Sequence, residues 1–257
     1  MRKQLLVFSF IAATNVLADE ISLFDWSVYL NGNVIRTVAD LPGTISYSDG
    51  FFETGLGTLT MTFESDVSTD YNVAIFFDHE IDELTNTFYN EYGMIAGIPV
   101  DSRLLYEIDE PGFGTDDSYR DTPDAYNYIG DIYDNFSDFS NRGFDNMIYY
   151  DDHTAASLYD FENSVSDDVS MAMGWKFLLS GSETAVLEYT LSSTAPASGF
   201  YLAQLDRNSN DMGIYLQSRL NISPINVPEP HIASLAGMGL VALCVFCRSK
   251  KVSILSK

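Results

Sequence analysis

Alternating apolar and polar residues, grouped between polar turns, predict a mainly β protein: an antiparallel β-sandwich of jelly-roll-like form. Two further observations point the same way. Gly57–Phe63, Ser170–Leu179, Ala185–Leu191, Phe200–Leu205 and Gly213–Leu220 are each of strand length, with polar turns between the later ones. No Rossmann, P-loop or helical-repeat pattern interrupts them.

In chain order, the first element is not a strand. MRKQLLVFSFIAATNVLADE places Arg2 and Lys3 before the mostly apolar Leu5–Leu17, with small Val16 and Ala18 just ahead of Asp19. That is the layout of a secretory signal peptide over residues 1–18, cleaved before Asp19. Trp26–Asn31 then partly alternates and runs into Asn31-Gly32-Asn33, a hairpin-turn signal. Gly57–Phe63 alternates cleanly, which puts Leu59, Met61 and Phe63 on one face. Asn72–Phe77 is an apolar run, the pattern of a strand covered on both sides.

Residues from about 80 to 165 read differently, as a long acidic and aromatic-rich insertion packed over one end of the sandwich, partly helical near Glu83–Tyr92. Between Asp101 and Asp152 there are 14 acids against Arg103, Arg120 and Arg142. Tyrosines and phenylalanines threaded through them argue against a disordered acidic linker, which would lack aromatics. The second-half strands complete an exported domain over residues 19–226.

That domain carries seven basic residues and 36 acids, a formal charge of −29. Nucleic acid and anionic membrane surfaces are excluded as partners, because phosphate binding needs the opposite sign. Self-repulsion on this scale destabilises a compact state, so screening by salt or bound calcium is expected. Both cysteines, Cys244 and Cys247, lie in the apolar tail. The exported domain therefore has no disulfide and must hold by packing alone.

Candidate chemistry is sparse. In Phe76-Phe77-Asp78-His79-Glu80-Ile81-Asp82-Glu83, the Glu80-Ile81-Asp82 opening resembles the Glu-x-Asp-x-(x)-Glu signature of laminarinase-type glycoside hydrolases. The resemblance implies a nucleophile and an acid/base on one strand face. The second glutamate is missing, since Leu84 and Thr85 stand in its place, and Glu83 is an odd step from Glu80. His79-Glu80 lacks the second zincin histidine, because Glu83 occupies that position. His79 therefore reads as a strand-end residue hydrogen-bonded to a neighbour. His153 and His231 are isolated. No catalytic residue is assigned.

Asp206-Arg207-Asn208-Ser209-Asn210-Asp211 offers oxygen ligands in Asp206, Asn208, Asn210 and Asp211, the front half of a calcium loop. It lacks the glycine at the sixth position and has Gln217 where the bidentate glutamate belongs. The same residues also read as a polar hairpin turn between two strands.

The tail, residues 227–257, has three parts. Val227-Pro228-Glu229-Pro230 cannot continue a helix and holds the chain extended. Residues 232–247 carry no charge, and as a transmembrane helix they would span about 24 Å at ~1.5 Å per residue. Arg248, Lys250 and Lys251 follow, which sets that side as cytoplasmic. An LPxTG sortase signal does not apply, because Leu41-Pro42-Gly43-Thr44 is followed by Ile45 and lies far from the tail. The trio in this order resembles the PEP-CTERM sorting signal of Gram-negative bacteria, with Ser249 interrupting its basic block. The resemblance implies recognition by an exosortase, a membrane cysteine transpeptidase, and an inner-membrane intermediate on the way to the cell surface or extracellular matrix. The core is also similar to uncharacterised domains that precede such tails. The expected function is a non-enzymatic surface or matrix protein that binds polysaccharide or other matrix components. The alternative is a secreted glycan-active hydrolase with its site near Glu80 and Asp82.

Overall fold

The computed structural model describes residues 21–81, 90–99, 101–109, 132–150, 154–155, 168–206 and 212–225. Two β-sheets pack as a sandwich. The first has the order β2-β1-β5-β10-β7-β8-β9, formed by β2 (Asn33–Ile35), β1 (Ile21–Leu30), β5 (Thr69–Ile81), β10 (Ser170–Leu179), β7 (Leu104–Asp109), β8 (Met147–Tyr150) and the two-residue β9 (Thr154–Ala155). The second has the order β3-β4-β11-β13-β12-β6, formed by β3 (Ile45–Tyr47), β4 (Gly57–Ser65), β11 (Glu183–Ser192), β13 (Met212–Pro224), β12 (Tyr201–Asp206) and β6 (Glu91–Ala96). Pairing is antiparallel throughout the main layers, and β7–β8 is parallel.

Local chemistry accounts for the expected strands. Asn31 (φ 47°) and Gly32 (φ 90°) both have positive φ, the requirement of a two-residue hairpin turn, and Leu30 pairs with Asn33 across it. Leu59, Met61 and Phe63 all face the inter-sheet core. Ser170–Leu179 is β10 as expected, and β11, β12 and β13 contain the other second-half segments.

β5 is covered on both sides, as its apolar run requires. Val73, Ile75 and Phe77 enter the core between the sheets. Ala74 and Phe76 point the other way, into a second cluster with Tyr29, Ala172, Ile132, Phe136, Phe139 and Phe144. The last four come from the acidic stretch, where a short helix, α2 (Ile132–Ser137), and its following turn lie on the first sheet. A shorter helix, α1 (Phe51–Thr54), precedes β4. Tyr29 Oη donates to Ser140 Oγ at 2.6 Å, and Lys176 Nζ donates to the Ser140 carbonyl at 3.2 Å.

The acidic stretch is thus partly a cover over the first sheet and partly sandwich. β6 and β7, both inside the expected 80–165 insertion, are integral strands of the two sheets. The expected helix near Glu83–Tyr92 needs a correction at its end, because Glu91 and Tyr92 open β6. Its other residues up to 89 lie outside the described residues. Glu91, Gly93 and Ile95 lie opposite Asp206, Gln204 and Leu202, and Leu202 belongs to the inter-sheet core. The inward face of β6 therefore reads Glu-Gly-Ile, with a carboxylate where an apolar residue is the rule. Gly93 is required there, since a Cβ would lie within the Ile108 side chain.

The chain divides into a body ending at Ile222 and a second unit from Ser223. Among the described residues no helix is long and apolar enough to cross a membrane. The expected signal peptide, the apolar segment 232–247 and the expected sorting residues Val227, Pro228, Glu229, Pro230, Arg248, Lys250 and Lys251 lie outside the described residues.

Candidate functional site

At one pole of the sandwich β5, β7 and β12 end, and β1, β6, β10 and β13 begin. Polar residues that belong on a surface are buried here: Asp78, His79 and Glu80 of β5, Glu91 of β6, Glu107 and Asp109 of β7, Ser170 of β10, and Gln204 and Asp206 of β12. Alternation along β5 puts Asp78 and Glu80 on the face of Phe76, and His79 on the face of Phe77.

Gln204 ties the two sheets together at this pole. Its Nε2 donates to the His79 carbonyl at 2.5 Å and to Glu91 Oε2 at 2.6 Å. Asp78 Oδ1, Glu91 Oε1 and Gln204 Oε1 have no hydrogen-bond partner among the described residues. Glu107 accepts two bonds from Asn135 Nδ2, at 2.9 and 3.1 Å, and a third from the Asp145 N–H at 3.0 Å. Its role is to fasten the α2 cover to the sheet.

Burial sets the protonation states. Desolvation, reinforced by the charges of Asp168, Glu80 and Asp25, pushes the Asp78 carboxyl up to about 8. Burial also raises Glu91 well above the carboxylate range; the Gln204 bond opposes this, and Asp168, Glu80 and Asp78 add to it. No basic side chain is among the groups acting on either acid. Both therefore hold a proton at neutral pH and act as uncharged hydrogen-bonding groups. Four of the five described cations are engaged elsewhere, Arg103 on Asp101, Arg142 on Asp138, Lys176 over Phe139 and Arg36 over Tyr133, and the fifth, Arg219, is an exposed residue of β13.

His79 sits among apolar groups beside Phe77, its Nε2 3.4 Å from the Gly55 carbonyl. Burial holds its imidazole down at about 4, so it is neutral. This is the hydrogen-bonded strand-end histidine expected from sequence. Gly55 is constrained in turn: its φ is +66°, and a Cβ there would fall inside the imidazole ring.

Of the sequence candidates, Glu80 lies at this pole, whereas Asp82 and Glu83 lie outside the described residues. Asp206 is buried at the end of β12, paired with Met212 across a hairpin. Its companions Asn208, Asn210 and Asp211 lie outside the described residues. Among the described residues no group of three or more His, Cys, Asp and Glu side chains is placed to hold a metal ion. Sequence reasoning missed Asp78, Glu91 and Gln204. Asp78 carried a faint signal as the first carboxylate after an apolar strand run; Glu91 and Gln204 carried none.

No protein-family model, no curated protein and no solved structure matches the chain.

Proposed function

We propose that the chain is a non-enzymatic exported protein of the surface or extracellular matrix of a Gram-negative bacterium. It is sorted by an exosortase and binds polysaccharide or other matrix components. The observation that carries this reading is the tail, in which Val227-Pro228-Glu229-Pro230, an uncharged run over 232–247 and the basic Arg248, Lys250 and Lys251 follow in order. The signal peptide at the other end supports export. The buried carboxyls also favour a non-enzymatic role, since Asp78 and Glu80 are only 1% and 7% exposed. The test is replacement of Pro228, Glu229 and Pro230 by alanine, which is expected to leave the chain unprocessed in the inner membrane. Removal of the tail at the same bond in that variant overturns the exosortase assignment.

Calcium is part of this proposal. A weak site of the extracellular class, with a dissociation constant of about 10⁻⁴–10⁻³ M, is placed in the acidic stretch or at Asp206, Asn208, Asn210 and Asp211. Thermal unfolding in saline buffer is expected to shift upward with millimolar calcium relative to chelator. Superimposable curves would leave salt alone to screen the charge.

One observation favours the hydrolase alternative with a changed partner for Glu80. Asp78 holds a proton up to about 8 and shares a strand face with Glu80, two residues on. A protonated carboxyl and a second carboxyl on one strand face are the two kinds of group glycosidases use. Turnover of β-glucan that disappears in both Asp78→Asn and Glu80→Gln would establish it.

A further inference from the structure

The pole opposite the buried acids carries a different kind of site. Where β7 and β12 begin, a cavity of about 400 Å³ is lined by residues of both sheets, within the usual roughly 300–1,000 Å³ of small-ligand sites. Its floor is apolar, made by Leu104, Trp175 and Phe200. Trp175 presents no unmet polar group there, because its indole N–H donates to Ser218 Oγ at 2.9 Å. The rim is polar, with Glu188 and Thr190 from β11 and Arg219 from β13. These three side chains make no hydrogen bond or ion pair among the described residues. Gln217, also on the rim, is held by its Nε2 bonds to the Ser198 and Phe200 carbonyls at 3.2 and 3.4 Å.

From this arrangement we infer that the cavity binds a sugar unit of a neutral polysaccharide. The inference rests on the polysaccharide-binding reading above and assigns it a place. A pyranose ring has an apolar C–H face and an equator of hydroxyls that both donate and accept. The floor matches the first, since aromatic and aliphatic surface packs against C–H groups. The rim matches the second: Glu188 only accepts, Arg219 only donates, and Thr190 does both. Adjacent hydroxyls can be bridged by a carboxylate or a guanidinium, each of which is planar and bidentate. Anionic ligands fit less well. Asp101 and Glu188 both line the cavity, and the exported domain carries a formal −29. A cation is also disfavoured, because Asp101 already holds Arg103 through contacts of 2.6 to 3.2 Å.

The chain has two tryptophans, and only Trp175 lines the cavity. A Trp26→Phe variant of the full chain in detergent therefore makes indole fluorescence a local reporter. It is titrated with neutral hexaoses from β-glucan, xylan and mannan, and with an acidic guluronate hexaose. The expected result is a saturable change in Trp175 emission with at least one neutral hexaose. Glu188→Ala and Arg219→Ala, each added to that background, should weaken the binding about tenfold or more, the scale of a hydrogen bond to a charged group, with the melting temperature unchanged. Calorimetry that finds neutral-hexaose binding unaltered by both variants, without change in Trp175 emission, would place the sugar elsewhere. The cavity assignment would then fail while polysaccharide binding stands. Binding of the acidic hexaose alone overturns the neutral-sugar assignment, and binding of none of the four overturns both readings.

Discussion

The two poles of the sandwich are built on the same strands and solve opposite problems. β7 runs from Leu104 at the cavity to Asp109 among the buried acids, and β12 from Tyr201, next to the cavity's Phe200, to Asp206. At the acid pole polar groups are inside, so carboxyls give up their charge and Gln204 is drawn to Glu91. At the cavity pole apolar groups are inside, and Glu188, Thr190 and Arg219 stand at the rim with their hydrogen-bonding capacity unspent by the described residues. A carboxylate is thus a buried proton carrier in one place and a ligand-facing acceptor in the other. Desolvation decides which, because burying a charge without a partner costs more than neutralising it.

The largest effect is expected from Trp175→Ala, which empties the cavity floor and removes the bond to Ser218. A loss of about 3–5 kcal/mol is predicted for truncating a buried aromatic, measured by urea unfolding. A loss below about 1 kcal/mol would show that this pole collapses readily and is not a preformed cavity.

Next is Gly55→Ala at the acid pole. The positive φ and the collision with His79 together should cost about 2–4 kcal/mol. A pairing with His79→Ala separates the two causes, since only the steric part should be recovered in the double variant. Full recovery would mean that the backbone at Gly55 is unstrained.

The acid pole should also announce itself in pH dependence. The folded chain keeps the Asp78 proton to about 8, whereas the unfolded chain releases it near 3.8. Between those values the folded state binds more protons, so this contribution to stability is full below 3.8 and lost as pH rises toward 8. Glu91, raised in the same direction, adds to the fall. His79 opposes it between about 4 and 6.5, where only the unfolded chain takes up the imidazole proton. Above 6.5 that opposition ends. Stability should therefore decline from pH 6.5 to 8, and Asp78→Asn should remove about 1.4 kcal/mol per pH unit of slope, one proton's share. Parallel profiles for the two proteins would mean that Asp78 is ionised in the folded state.

The smallest effect is expected at the cavity rim. Glu188 and Arg219 are exposed and make no bonds among the described residues, so Glu188→Gln and Arg219→Gln should each change stability by less than about 0.5 kcal/mol. A larger loss in either variant would make that side chain structural and blur the contrast between the poles.

What could be read without coordinates was local. The Asn31-Gly32 turn, the face shared by Leu59, Met61 and Phe63, and the two-sided burial of Asn72–Phe77 all follow from neighbouring residues, because side-chain alternation is a property of the extended backbone itself. The net charge and the tail motif are likewise visible in one dimension. β6 was not legible, since its inward positions are Glu91 and Gly93 and its alternation runs against the apolar rule. Only the tertiary structure decided that Gln204 meets His79 and Glu91, 125 and 113 residues away along the chain. Only sheet order brings Leu104, Trp175, Glu188 and Arg219 to one cavity. No strand encodes its neighbour, and a carboxyl's charge depends on how completely the rest of the chain excludes water from it.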